Sequence, residues 1–257
     1  MTIDLRERML RSPAGFAAYM RLRWGGSRRP SPAFAPMNAT LKSTDDIARA
    51  VNEVQQLRLP PCEDTAKTWD TLGALQAIVS RFDKNAAVLD AGAEMYSRLL
   101  PWLYLYGFRN LLGNNLVFSS AVSHGPIRYE PGDLTRTPYR DGQFDAVTCL
   151  SVIEHGVDLR KYFSEMARII RPGGLLVTST DYFDQPTDTR GLEAYGTPIR
   201  IFAREDIERA FEIASQAGFS LTGPVDLACR ERIVHWKEYD LRYTFIVFAM
   251  TRKPTGR

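Results

Sequence analysis

A strand–helix–strand signature near the middle of the chain constrains its fold more than any other feature. Phe144–Leu150 is a continuous apolar run. Leu159, Tyr162, Phe163, Met166, Ala167 and Ile170 then recur at the alternating three-and-four spacing of one helix face. Arg171-Pro172-Gly173-Gly174 stops that helix, and Leu175–Thr178 forms the next apolar run. Two strands joined through a helix of this length return parallel to each other, because a tight turn gives only an antiparallel pair. A parallel sheet needs helices on both faces.

The same alternation extends outward. Trp69, Leu72, Leu75, Ile78 and Val79 predict a helix, and Ala86–Leu89 a strand running into Asp90 and Gly92. Leu99, Leu100, Leu103 and Tyr104 mark another helix, Asn110–Leu112 and Ile127–Tyr129 further short strands. Ile207, Ala210, Phe211 and Ala214 mark a last helix ended by Gly218, and Tyr243–Met250 suits a final strand. Residues 1–60 differ. Pro13, Gly25, Gly26, Pro30, Pro32 and Pro36 interrupt long elements, leaving short helices expected at Ala14–Trp24 and Ser43–Leu57, the second capped by Ser43. This segment reads as a helical arm or cap with no core of its own, ahead of a main domain at 61–257.

Charge separates the same two parts. The chain has 257 residues and a formal charge of +3. Arg6, Arg8, Arg11, Arg21, Arg23, Arg28 and Arg29 face only Asp4 and Glu7 in the first thirty residues, which leaves the remainder mildly acidic. A body without a basic face argues against a nucleic-acid partner. No uncharged apolar stretch approaches the length of a membrane span, and no secretory leader is recognisable. Cys62, Cys149 and Cys229 are few and far apart, so they read as free thiols of a reducing, cytoplasmic protein rather than a metal site.

In an open parallel sheet, ligands collect at the carboxyl ends of the strands. There the chain carries Val88-Leu89-Asp90-Ala91-Gly92-Ala93-Glu94, then Gly132-Asp133-Leu134, Phe144-Asp145-Ala146-Val147, Ile153-Glu154-His155 and Ile169-Ile170-Arg171-Pro172-Gly173-Gly174. In this order the motifs over residues 66–180 resemble the class I S-adenosylmethionine-dependent methyltransferases, of the type called methyltransferase domain 11. The resemblance implies a Rossmann-like, seven-stranded, mostly parallel sheet with an antiparallel C-terminal strand. It implies S-adenosylmethionine as cofactor and S-adenosylhomocysteine as product. Asp90, Ala91, Gly92 and Glu94 would form the donor turn, Asn115 would replace the family's ribose-binding acid, and Asp133 with the Leu134 N–H would bind adenine. Backbone carbonyls at Leu150 and Ser151 would line the methionine part.

Two departures from the family pattern stand out. Glu94 occupies the place of the turn's second glycine, and Asn115 lacks the charge of an acid. Methyl transfer to a hydroxyl needs a base, for which His155 and His235 are the candidates. His155 reads first as the residue that orders the loop beneath the donor and second as a base, and His235 equally as a surface-loop histidine. Asp181, Tyr182 and Tyr195 are acceptor-side candidates, although Asp181 also suits the cap of a turn. Trp69 and Asp70 either close over the donor or, for Trp69, belong to the core. The expected activity is methylation of a small molecule or glycan, such as a sugar of surface-polysaccharide or secondary metabolism, by a protein compatible with a homo-oligomer. The alternative is a non-catalytic or regulatory protein on the same scaffold. A nicotinamide oxidoreductase would need a G-x-G-x-x-G turn after the first strand, which is missing.

Overall fold

The computed structural model describes residues 12–26, 28–31 and 37–254. Arg6, Arg8 and Arg11 of the basic arm lie outside them. The arm contributes α1 (Pro13–Arg23), β1 (Ala39–Thr40) and α2 (Thr44–Gln56). Ser43 caps α2 by accepting the Asp46 N–H at 3.2 Å, as its sequence predicts. The main body then runs α3 (Lys67–Arg81), β2 (Ala87–Ala91), α4 (Leu99–Leu105), β3 (Asn110–Asn115), β4 (Val122–His124) and β5 (Ile127–Pro131). It continues through β6 (Phe144–Leu150), α5 (Leu159–Ile169) and β7 (Ile170–Tyr182) to a small hairpin of β8 (Glu193–Ala194) and β9 (Thr197–Pro198). Helix α6 (Arg204–Gln216), β10 (Phe219–Leu221), β11 (Val234–Trp236) and β12 (Leu241–Arg252) complete it.

The central sheet has the order β1-β12-β7-β6-β2-β3-β5-β4. Strands β5, β3, β2, β6 and β7 run parallel, and β12 lies antiparallel against β7 from Thr244↔Tyr182 to Thr251↔Leu175. The sheet is therefore mixed α/β, mostly parallel at its centre, with β2 at the switch point between β3 and β6. Ten strands take part among the described residues. The additions to the expected seven are short: β4 on one edge, and β1 and β11, which share the outer edge of β12 with β10. Long β12 thereby has much of its outer edge covered.

Two apolar layers sandwich the sheet. On one face α3 and α4 pack with Phe16 and Met20 of α1 and with Ala50 and Val54 of α2 in a single core. The arm's helices thus bury their apolar side chains in the body's own core. On the other face Tyr162, Phe163 and Met166 of α5 pack with Ile207 and Ala210 of α6. Strand β7 begins earlier than its apolar run. Ile170 pairs with Phe144, and the Arg171–Gly174 insertion is absorbed as an irregularity before Leu175 pairs with Ala146.

Candidate functional site

Strand β2 delivers Asp90 to the switch point, buried, with Oδ1 accepting the Thr148 hydroxyl of β6 at 2.7 Å. Burial pushes its pKa up to about 7, the Thr148 bond pulls it down, and the nearby Asp70 charge adds to the rise. Ala91 is buried behind it. Gly92 follows with φ +90°, and a Cβ there would stand 2.3 Å from Val152. Only glycine fits a turn this close to the β6–α5 loop. The Gly92 N–H donates to Asn114 O at 2.7 Å, and Gly92 O accepts from Asn115 Nδ2 at 2.7 Å. The Asn115 amide is thus engaged in holding the turn, and its Oδ1 accepts the Val117 N–H at 3.2 Å. Glu94 is half-buried, its N–H donating to Ser97 Oγ and its carboxylate accepting the Tyr96 hydroxyl at 3.3 Å.

Past β5, Asp133 is exposed and accepts from the Thr135 N–H and hydroxyl at 2.8 and 2.7 Å, which shapes the turn. Leu134 beside it is buried. Asp90, Gly92, Glu94, Asn115, Asp133 and Leu134 therefore lie along the carboxyl ends of β2, β3 and β5, where the sequence places them.

A different kind of site sits at the ends of β6 and β7. Leu150 is half-buried. Ser151 has φ +54°, donates its N–H to Ser179 O at 3.0 Å, and contacts the Lys67 ammonium through its hydroxyl. Lys67, on the first turn of α3, also lies 4.0 Å from the centroid of the Phe245 ring. Around it are buried carboxyls. Asp70 accepts the Ser179 hydroxyl at 2.6 Å and the Thr71 N–H at 2.7 Å. Glu154 accepts the Thr180 hydroxyl at 3.0 Å. Asp181 is 2% exposed, with its Oδ1 lacking a hydrogen-bond partner among the described residues, while the Tyr243 hydroxyl lies beside the carboxyl. Burial pushes Asp70, Glu154 and Asp181 up, and the Lys67 charge pulls each back down.

His155 and Tyr195 come together, their rings edge-on with centroids 5.2 Å apart. Burial first, and Lys67 second, hold the His155 pKa below its ordinary value, so the ring is neutral at pH 7. Tyr195 stands at the tip of the β8–β9 hairpin with φ +56° and is 77% exposed. Tyr239 ties that hairpin to the β11–β12 turn by donating to Glu193 O at 2.8 Å. His235, on β11, pairs instead with Asp240 at 2.8 Å. Tyr182 belongs to the core on the other face from the Asp70–Ser179 group, where its hydroxyl donates to Leu227 O at 2.8 Å. Trp69 is core, whereas Asp70 is part of the site. Sequence reading missed Lys67, Ser179 and Tyr243. The available signal was the i, i+3 spacing that puts Lys67 and Asp70 on one side of α3.

Residues 90–178 match the family model described as a methyltransferase domain. The match covers about a third of the chain. The chain shares 35% identity over 89 residues with a demethylmenaquinone methyltransferase of Deinococcus radiodurans, 35% of this chain and 34% of that protein. The chain thus spans about a third of the length of that curated relative, and less of others that it matches. The fold extends further than this methyltransferase-domain match. A Burkholderia thailandensis 1,6-didemethyltoxoflavin-N1-methyltransferase, solved with its namesake ligand and S-adenosylhomocysteine, superposes with a TM-score of 0.55 at 16% identity, over 95% of this chain and 91% of that one. The (4+2)-cyclase SpnF superposes with a TM-score of 0.53 at 16% identity, over 82% of this chain and 94% of that one. Fold alone therefore leaves the reaction to be argued from the site.

Proposed function

We propose that the chain transfers a methyl group from S-adenosylmethionine to a small-molecule acceptor, releasing S-adenosylhomocysteine. The observation that carries this is the glycine-dependent turn at Gly92, set between buried Asp90 and the β6–α5 loop inside the matched segment. It makes a cradle that a Cβ would fill. The residues fit the donor's chemistry: a ligand bearing an ammonium and a sulfonium suits a site bordered by Asp70, Asp90, Glu154 and Asp181. In this reading Asp90 and the Leu150–Ser151 backbone hold the methionine end, Glu94 and Asn115 the ribose, and Asp133 with the Leu134 N–H the adenine.

The bound donor supplies a methyl carbon activated by its sulfonium. The protein's task is alignment of the acceptor with that carbon, which contributes on the order of 7–11 kcal/mol in well-oriented systems. Of the two histidines this reading keeps His155, under Tyr195, on the acceptor side and sets aside His235, which is engaged by Asp240. A sugar or glycan acceptor is the narrower form of the reading. It rests on the polar run from Thr187 to Pro198, whose hairpin packs its Tyr195 on His155. A cytoplasmic setting and a homo-oligomer belong to the same proposal. Among the described residues no helix is long and apolar enough to cross a membrane.

One observation favours the second reading, a non-catalytic protein on this scaffold. The Asn115 amide is already bonded on both sides, to Gly92 O and the Val117 N–H. Incubation with methyl-labelled donor and a small-molecule extract separates the two readings. Label appearing in a small organic product supports transfer. Donor binding without any transfer supports the non-catalytic scaffold.

A further inference from the structure

We infer that the acceptor is an amine, bound as its cation against the unpartnered oxygen of Asp181 and methylated on nitrogen, an inference that rests on the donor-dependent reading above. Asp181 sits at the end of β7, facing Tyr243 and Lys67, and its Oδ1 is buried without a hydrogen-bond donor among the described residues. A buried acceptor atom left unpaired is costly, so a ligand that donates a hydrogen bond there gains what the protein leaves unmade.

The sign of the surroundings selects the donor's charge. Asp70, Asp90 and Glu154 are buried in the same region. The cation acting on Asp70, Glu154 and Asp181 is Lys67, which is already placed on the Ser151 hydroxyl and over the Phe245 ring. Burial disfavours the charged form of these carboxyls, so a nearby ammonium stabilises their ionised state, an alcohol does not, and a carboxylate or phosphate acceptor would oppose it. His155 is held neutral and does not compete as a cation. The walls agree. Tyr243 from β12, its ring 5.8 Å from that of Phe245, gives aromatic surface beside Asp181, the pairing that favours organic cations.

The step balances without a further reactant. The bound ammonium passes a proton to the Asp181 carboxylate. The freed nitrogen lone pair forms a bond to the donor's methyl carbon, and the carbon–sulfur bond breaks with its electron pair remaining on sulfur. A methylated ammonium, a protonated Asp181 and a neutral thioether result.

The test uses the full chain saturated with S-adenosylhomocysteine, titrated calorimetrically with matched pairs: benzylamine and benzyl alcohol, phenethylamine and 2-phenylethanol, cyclohexylamine and cyclohexanol. The expected result is binding of each amine at least tenfold tighter than its alcohol, with the preference erased by Asp181→Asn. Tyr243→Phe, which removes only a hydroxyl, should weaken amine binding by a smaller factor and gives a second reading if Asp181→Asn folds poorly. Alcohols binding as tightly as amines, or an amine preference that survives Asp181→Asn, would overturn the inference while leaving the donor reading intact. Failure to bind S-adenosylhomocysteine at all would overturn both.

Discussion

The two halves of the site are built from different materials. The half at β2, β3 and β5 is shaped by the main chain: Gly92 bonded to Asn114 and Asn115, Glu94 to Ser97, Asp133 to Thr135. Glu94, Asn115 and Asp133 are half-buried or exposed there, so they cost little to keep. The half at β6, β7 and β12 is made of buried ionisable groups, Asp70, Glu154 and Asp181 around Lys67. Such groups stabilise a fold poorly and are retained where they act on something. Geometry defines the first half, and charge defines the second. Asp90 belongs to both.

The largest effect should come from breaking the geometry. Gly92→Ala puts a Cβ 2.3 Å from Val152 at φ +90° and should weaken S-adenosylmethionine binding by about 100-fold or more, read by calorimetry. Gly191→Ala is the matched control. Its φ is +78°, yet an added Cβ meets nothing within 4 Å among the described residues. It should cost only about 1 kcal/mol of stability and leave donor binding unchanged. Equal losses in the two variants would show that backbone strain, rather than close approach, is what matters at Gly92.

The next effect comes from charge. Asp90 has its pKa raised to about 7 in the folded protein, from 3.8. The folded state therefore holds a proton that the unfolded chain has released, and stability from this group falls as pH rises between those values. The slope approaches about 1.4 kcal/mol per pH unit within that window. Asp90→Asn should remove that contribution, raising the melting temperature at pH 8 while lowering donor affinity. A variant less stable at pH 8 than the wild type would break the contrast between the halves.

The smallest effect belongs to His235. Its partner Asp240 is 87% exposed, and such pairs contribute on the order of 0–1 kcal/mol. His235→Ala should change turnover less than twofold, whereas His155→Ala should reduce it at least tenfold. The reverse order in a labelled-donor assay would move the acceptor side from the loop after β6 to β11.

Much of the fold was legible because it repeats. The apolar runs and helix faces located α3, α5, α6, β2, β6 and β12, and Ser43 marked α2. Strands β1 and β11 were not legible, since two or three residues carry no period and owe their conformation to the edge of β12. The start of β7 was missed because Pro172 and Gly173 look like a stop, while pairing to β6 carries the strand across them. Asp145, which helped mark the family, lies at the opposite end of β6 from the site. Its carboxylate accepts the Ala87 N–H at 2.7 Å and contacts Arg171. The donor half was readable because its turns are local in sequence. Of the charged half only Asp70 and Asp181 were read, one at a time, because Lys67, Glu154, Asp181 and Tyr243 meet only through the sheet.

The most direct measurement is calorimetric titration of the full chain with S-adenosylmethionine, beside Asp133→Ala. Asp133 is exposed and holds only its own turn, so its loss should leave the melting temperature within a few degrees. The account predicts one donor bound per chain, about tenfold more weakly in Asp133→Ala. No binding of either S-adenosylmethionine or S-adenosylhomocysteine by the folded wild-type protein would contradict it.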